Sequence, residues 1–440
     1  MRPIRRKRSS FRPPHRRSNT RAGSKVAGEG HRSRAQVAGH RPQVGGTGRR
    51  PQVAGAGAGA GHRRRRRTAG RAWPAWPGPV AYWHARQAER RGRECWARRS
   101  GAWPGYAARV TPLLHRLHPE LSQTLPHLAL GTRPTPVRRL TALGAGADLW
   151  VKDDSVFGDG GWGGNKVRKL EWLLPDALRR GRRTIVTVGG LGTNWGLATA
   201  LYGREHGLKT VLALVDQPVD DHVRRQLERL RASGAELHLT HTRARTILAA
   251  PLLLARHFSG MRPPYPLPAG GSSPVGALGY VEAALELADQ VRSGELPEPT
   301  HLVTPVGSGG TVAGLALGLR LAGLSTRVVG VVVNDTLRLD HRTLTRLTHR
   351  TARLLRRRGA HLPETRTPTD NLEIVTGWLG TGYGHPTAEG EAARRRAADD
   401  EHLELEPVYT AKALAALLDL DARGHFDGGP VVYLNTNGPR

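Results

Sequence analysis

From about Arg109 the chain alternates between two textures. Short runs rich in β-branched residues recur: "ADLWVKDD", "TIVTVGG", "KTVLALVD", "AELHLTHT", "THLVTPVGSGG", "RVVGVVVND" and "PVVYLNTNG". They are apolar for most of their length rather than strictly alternating, which is how a strand covered on both faces reads. Between them lie helical patterns such as "NWGLATALYGREHG", "VGALGYVEAALELADQV" and "TVAGLALGLRLAG". Strand–helix alternation of this kind predicts an α/β fold of open, twisted, largely parallel sheets with flanking helices. Two sheets are expected, the first near 190–240 and the second near 300–440. The expected division is a smaller α/β domain at about 186–300 and a larger one made of about 111–185 plus 301–440. A cleft between the two is the default place for a ligand.

Charge changes the picture only at the amino-terminal end. The formal net charge is +32, but residues 1–110 hold 28 Lys+Arg against 3 Asp+Glu, while 111–440 hold 40 against 33. The basic excess sits in a low-complexity segment with Gly-Ala alternation and an Arg run, which cannot bury enough apolar surface to offset its ordering entropy. Residues 1–110 are therefore expected to be a disordered basic tail. Its readings are an extension without a role, an arm that touches nucleic acid, or a targeting peptide. Against the last, no continuous apolar stretch follows "RRKR". No run approaches the roughly 18 apolar residues of a membrane span. The single cysteine, Cys95, excludes an internal disulfide framework and any Cys-rich metal site. The body fits a cytoplasmic protein, and no metal ligand set is expected.

Lysine is scarce: of 68 basic residues only seven are lysine, yet "GGWGGNKVRKLEWLLPDALRRG" places two of them three positions apart, at Lys166 and Lys169. Asn165 reads as an N-cap after a permissive Gly run. Beyond it Val167, Leu170, Leu173, Leu174 and Leu178 share a stripe at about 100° per residue. Lys166 falls near the stripe's centre, Lys169 at its margin, and Arg168 on the opposite side. A lysine facing inward at a helix N-terminus has a lowered pKa and offers a neutral, nucleophilic amine, which arginine cannot. The ordinary alternative is a surface lysine whose stem snorkels over apolar neighbours.

Two Gly-rich turns follow strands. In "VTVGGLGTNWGLATA" a helix begins near Thr193, and the backbone N–H groups of such a turn suit a carboxylate, with Asn194 able to donate to a phenolate oxygen. In "VTPVGSGGTVAGLALG", Gly307, Ser308, Gly309, Gly310 and Thr311 let the backbone close on a phosphate. This loop lacks the ending of a nucleoside-triphosphate loop and the spacing of a dinucleotide fingerprint, leaving a phosphomonoester as the better ligand. Tyr383, Tyr409 and Thr436 add phenols and a hydroxyl near strand or helix ends, where each taken singly reads as ordinary core.

An inward lysine, a carboxylate turn, a phosphate turn and phenols in an α/β protein together describe a pyridoxal-phosphate site. Here the chain resembles the β-family (fold type II, tryptophan-synthase-β-like) of pyridoxal-phosphate enzymes, in the group of D-cysteine desulfhydrase and aminocyclopropane-carboxylate deaminase. The resemblance runs from about Leu130 to Gly438 through "LGTRPTPV", "GGNKVRKLE", "VGGLGTNWGLATA", "PAGGSSPVGALGY", "GSGGTVAGL", "GYGHPT" and "PVYTAKA". It implies that pyridoxal 5'-phosphate is the cofactor and that Lys166 binds it covalently. It further implies that Asn194 contacts the ring oxygen, that 307–311 hold the phosphate, and that Thr436 lies at the ring nitrogen. Thr193 matches a serine near the substrate carboxylate, and Tyr383 and Tyr409 match the two active-site tyrosines.

The resemblance implies a lyase acting on a small amino acid, with α,β-elimination from D-cysteine to pyruvate, ammonia and sulfide as the leading activity, in a homodimer. Ring-opening deaminases of the group carry glutamate immediately after the tyrosine, where this chain has Thr410. The alternatives are deamination of another small amino acid, a degenerate cofactor-binding protein, and a nucleic-acid-binding protein acting through its arm. Trp195 departs from the family's usual His or Gln, and is expected to narrow the substrate pocket beside the carboxylate turn.

Overall fold

The computed structural model describes residues 111–438 apart from 145, 160–161 and 363–368. The tail expected at 1–110, with Cys95, lies outside the described residues. In chain order the strands are β1 (Val137–Arg139), β2 (Asp148–Asp153), β3 (Thr184–Gly190), β4 (Lys209–Val215) and β5 (Glu236–His241). They continue as β6 (Tyr265–Pro266), β7 (His301–Val306), β8 (Arg327–Val332), β9 (Leu372–Val375) and β10 (Pro430–Asn435). The helices are α1 (Leu113–Leu117), α2 (Leu121–Thr124), α3 (Asn165–Arg179), α4 (Asn194–Glu205), α5 (Asp221–Ala232) and α6 (Arg243–Arg256). After these come α7 (Pro274–Arg292), α8 (Gly310–Leu321), α9 (His341–Arg357), α10 (Ala388–Glu401) and α11 (Thr410–Ala422).

All seven apolar runs become strands, and they fall into two sheets. The larger has six strands in the order β1-β2-β10-β7-β8-β9, and the smaller has four in the order β5-β4-β3-β6. Every pairing is parallel except the β1–β2 edge. The last strand, β10, inserts between β2 and β7, so the larger sheet gathers chain from both sides of the smaller one. In β7, β8 and β10 the residues Val303, Val329, Val331, Val431 and Tyr433 are fully buried, and one core cluster joins them to Leu414 and Leu417 of α11. Strands covered on both faces are thus realised at the centre of this sheet. Helix α7 shares a second core cluster with α8 and β7 through Tyr280, Ala284, Leu302 and Val312. We propose that the smaller domain ends before α7.

Helix α3 departs from its expected orientation in three ways. Its N-cap is Gly164, not Asn165: φ is +90° there, and a Cβ would lie 2.3 Å from the Asn437 carbonyl oxygen. Only a glycine lets the helix start this close to the end of β10. Leu178, counted in the apolar stripe, is exposed. Arg168, expected on an outer face, is fully buried. The wheel identifies the most apolar side but not whether the opposite side meets water, and here it meets buried carboxylates. Arg168 donates to both oxygens of Asp154 at 2.8 Å and to Glu286 at 2.9 and 3.0 Å. Lys152 adds a 2.7 Å bond to Glu286, and Glu171 holds the Leu130 N–H and Arg133. A buried charge is tolerated when paired and hydrogen-bonded in this way. The effect is to fix the helix that carries both lysines.

Candidate active site

The carboxyl ends of both sheets supply the loops that bear the candidate residues, as open parallel sheets do. Strand β3 leads into Thr193–Asn194, β7 into Gly307–Thr311, β9 into the loop with Tyr383, and β10 into Thr436. Gly384 of the Tyr383 loop approaches Pro218, which follows β4 of the other sheet. The two sheets therefore meet across these loops.

Lys166 is half-buried in the first turn of α3 and makes no hydrogen bond to a described residue. Burial lowers its pKa to about 8, with a smaller opposing pull from the Glu406 carboxylate. At neutral pH a useful fraction of the amine is neutral. Lys169 is deeper and differs in its surroundings. Its Nζ donates to the Gly270 carbonyl at 3.1 Å and has no carboxylate partner, and burial, then the charge of Lys166, hold its pKa well below the ordinary value. A buried amine with no anion beside it is suited to receive one.

Beside Lys169 lies the loop 307–311. Gly309 adopts φ +88° and caps α8, so the first N–H groups of the helix face the loop. A Cβ at Gly310 would sit 2.7 Å from Ser272 Oγ and 3.1 Å from Lys169 Nζ, so glycine keeps this cradle open. Ser272 Oγ accepts from the Gly310 N–H at 2.9 Å and donates to Ser308 Oγ at 2.9 Å. Three hydroxyls counting buried Thr311, helix N–H groups and a cation converge, and this donor set fits a phosphate. Lys169 and Ser272 were not assigned from the sequence. The signal for Lys169 was its scarcity as a residue type, whereas Ser272 arrives from a distant turn.

At the other side, Thr193 caps α4, its Oγ1 accepting from the Gly196 N–H at 3.1 Å, which leaves the hydroxyl proton free to point outward. Asn194 is oriented by a chain that the sequence did not reveal. Arg229 donates to Gln226 Oε1 at 3.1 Å, and Gln226 Nε2 donates to Asn194 Oδ1 at 2.6 Å. A guanidinium can only donate, so Gln226 must turn its oxygen to Arg229 and its NH2 to Asn194. Asn194 is left presenting Nδ2 as a donor.

Tyr383 and Tyr409 share a 2.5 Å bond between their hydroxyls with rings edge to face, and the Tyr409 ring lies against Gly307. Burial raises both pKa values, so both phenols stay protonated. Beneath them, Glu406 accepts the Val408, Tyr409 and Thr410 N–H groups at 2.6 to 2.8 Å, capping α11. Thr410 is buried and spends its hydroxyl on the Glu406 backbone and carboxylate. Thr436 is nearly buried just past β10, beside the segment against which Gly164 starts α3.

Trp195 does not line the cleft. Its indole is 3% exposed, donates from Nε1 to Thr187 Oγ1 at 2.9 Å, and packs against Gly271 in the turn that carries Gly270 and Ser272. The expected narrowing of the pocket is replaced by support of the phosphate turn from behind.

Fold and site together define an α/β enzyme built around a phosphate-bearing, amine-reactive ligand. The family described as "Pyridoxal-phosphate dependent enzyme" matches residues 128–437. D-cysteine desulfhydrase of Salmonella paratyphi A is 34% identical over 322 residues, covering 71% of this chain and 94% of that protein. The enzyme of the same name from Serratia proteamaculans is 35% identical over 338 residues, covering 73% and 96%. Among solved structures, an ACC deaminase homologue superposes with a TM-score of 0.63 at 29% identity, over 74% of this chain and 95% of that one. A T.th. threonine deaminase shares the fold, with a TM-score of 0.52 at 23% identity, over 73% of this chain and 98% of that one. The chain belongs to the pyridoxal-phosphate-dependent enzymes of fold type II, and pyridoxal phosphate is its cofactor. Among the described residues no helix is long and apolar enough to cross a membrane.

Proposed function

We propose that the protein is a lyase that removes sulfide from a small amino acid, D-cysteine foremost, consuming one water and releasing pyruvate, ammonia and hydrogen sulfide. The observation that carries this choice is Thr410. Deaminases of the group have glutamate at that position, but here a buried hydroxyl is committed to capping α11 through Glu406. Likeness to the two D-cysteine desulfhydrases supports the same choice.

When bound, pyridoxal phosphate supplies an aldehyde for an amine and a ring that draws electrons away from the substrate Cα. The phosphate would be held by the N–H groups and hydroxyls of 307–311, by Ser272 and by Lys169. Asn194 Nδ2 would donate to the ring oxygen. Thr436 would meet the ring nitrogen with a neutral hydroxyl, which stabilises a protonated ring less than a carboxylate would and suits elimination over transamination. Lys166 Nζ, neutral in part near pH 8, would hold the cofactor covalently and, once the substrate amine has displaced it, would be free to take the Cα proton. The turn at Thr193 orients the substrate carboxylate through its N–H groups and outward hydroxyl. Of the phenol pair, one holds the other by hydrogen bond, and the free proton is available to the departing sulfur.

Likeness to the ACC deaminase homologue favours a second reading, deamination of a small cyclic amino acid. Purified holoenzyme should be supplied with D-cysteine, L-cysteine and 1-aminocyclopropane-1-carboxylate, and assayed for sulfide, pyruvate and 2-oxobutyrate. Sulfide and pyruvate in equal amounts from D-cysteine support the proposal. Turnover of the cyclic substrate without sulfide release from either cysteine would replace it.

A cytoplasmic homodimer is part of this proposal. Its support is the exposed apolar face of α6, with Ile247, Leu248 and Leu252 uncovered, a surface larger than solitary apolar residues provide. The nucleic-acid reading concerns residues outside those described.

A further inference from the structure

At the opposite end of the smaller sheet from the cofactor loops, three side chains converge that the reaction does not use. Glu236 and His238 are two residues apart on the edge strand β5, so they project on the same face. His257 caps the carboxyl end of α6 and reaches the same spot. Glu236 Oε1 lies 2.7 Å from His238 Nε2 and 3.2 Å from His257 Nε2, and the donor atoms of all three fall within 4.8 Å of one another. The His257 side chain is 7% exposed, yet its Nε2 makes no hydrogen bond. A buried imidazole nitrogen aimed at a carboxylate without bonding it needs another partner.

We propose that Glu236, His238 and His257 form a binding site for a late first-row divalent cation, zinc foremost. Two imidazoles and a carboxylate are a ligand set such ions accept, with a fourth position left to water. Donors about 2.0–2.1 Å from a tetrahedral ion stand roughly 3.4 Å apart. The Glu236–His257 separation already matches, and the His238 contact opens by less than about 1 Å once a metal replaces its hydrogen-bonded proton. Lys209 bonds the other oxygen, Glu236 Oε2, at 2.6 Å and fixes the carboxylate's orientation. Its own amine is half-exposed, so water screens its repulsion of a cation. The bound ion would pin the end of α6, the helix with the uncovered apolar face, to the sheet edge.

The test uses full-length holoenzyme alongside His238→Ala and His257→Ala. Each protein is stripped with EDTA, loaded with Zn2+, desalted and assayed for retained metal, and melted with Zn2+ or EDTA. Histidines of the amino-terminal segment are common to all three, so the difference between proteins isolates this site. Wild type should retain one equivalent more than either variant, and each variant should bind that equivalent at least about 100-fold more weakly. Zinc should raise the melting temperature of wild type alone, and EDTA should reverse it. Equal retention by wild type and His238→Ala, whose side chain is partly exposed and whose loss the fold should tolerate, would overturn the site even if His257→Ala failed to fold.

Discussion

Trp195→Ala offers the sharpest check on how the site is supported. The indole fills a buried space between Thr187 of β3 and the turn at Gly270–Gly271, in the same core cluster as Leu173. Truncating a buried tryptophan costs about 3–5 kcal/mol, and losing the Nε1 bond is included in that figure. Thr187 is not orphaned, because its Oγ1 still donates to the Leu267 carbonyl at 2.9 Å, so the lower half of the range, about 3–4 kcal/mol, is expected. Trp195→Phe keeps most of the packing and should cost about 1–2 kcal/mol. Urea unfolding followed by circular dichroism, at fixed pyridoxal phosphate, measures both. Because Gly270 and Ser272 ride on the supported turn, the alanine variant should also lose cofactor affinity. Trp195→His should destabilise without raising D-cysteine turnover. If Trp195→Ala unfolds within about 1 kcal/mol of wild type, or Trp195→His speeds turnover at unchanged stability, the indole borders substrate and does not buttress the turn.

Borohydride reduction of the holoenzyme followed by peptide mapping should label Lys166, and labelling at Lys169 would reverse the two roles. In cofactor-free protein, modification of Lys166 by an amine-selective reagent should rise with a midpoint near pH 8. The burial penalty on its charged form is fully present below pH 8, so stability should increase between about pH 8 and the unfolded amine's value near 10.4. A flat stability profile over that window would contradict the burial of this amine. Lys169→Met should weaken cofactor binding by about 2–5 kcal/mol while Lys166 remains the labelled residue; unchanged affinity would move the phosphate elsewhere. Gln226→Leu frees the Asn194 amide to rotate, so the visible cofactor band should shift with little change in cofactor content, and an unaltered band would remove Gln226 from the orienting chain.

Much of this arrangement is legible in sequence because it is local. The seven apolar runs became strands since each is six or seven residues long and carries a sustained apolar pattern, most fully buried in the central strands β7, β8 and β10. β1, β6 and β9 escaped notice because they have two to four residues and lie at sheet edges, where burial leaves little pattern. The helix starts at Gly309 and Thr193 were readable from glycine and hydroxyl spacing after a strand. Contacts between distant segments were not. Nothing in "SSPVGALGY" or "RRQLERL" says that Ser272 will meet Gly310, or that Gln226 will meet Asn194. A departure from family pattern at Trp195 was legible, but its direction was not, because one residue's side on a helix start depends on what packs there.

The three basic residues of "NKVRK" show why identity, rather than charge, is what this turn specifies. Arg168 bonds two carboxylates and Thr135 with one planar group, a task that uses most of its five donors and that a lysine would leave half undone. The role proposed for Lys166 needs the opposite property, an amine that can give up its proton and form a bond, and burial outweighs the pull of Glu406 to bring that proton's loss to about pH 8. Lys169 faces the cradle in which the phosphate is proposed to sit, with only the Gly270 carbonyl bonded to its amine. A guanidinium there could not shed its proton before the anion arrives and would stand as an uncompensated buried charge, whereas an amine can. In a chain that otherwise favours arginine, two lysines flanking a buried arginine therefore mark three different electrostatic surroundings within one turn of helix.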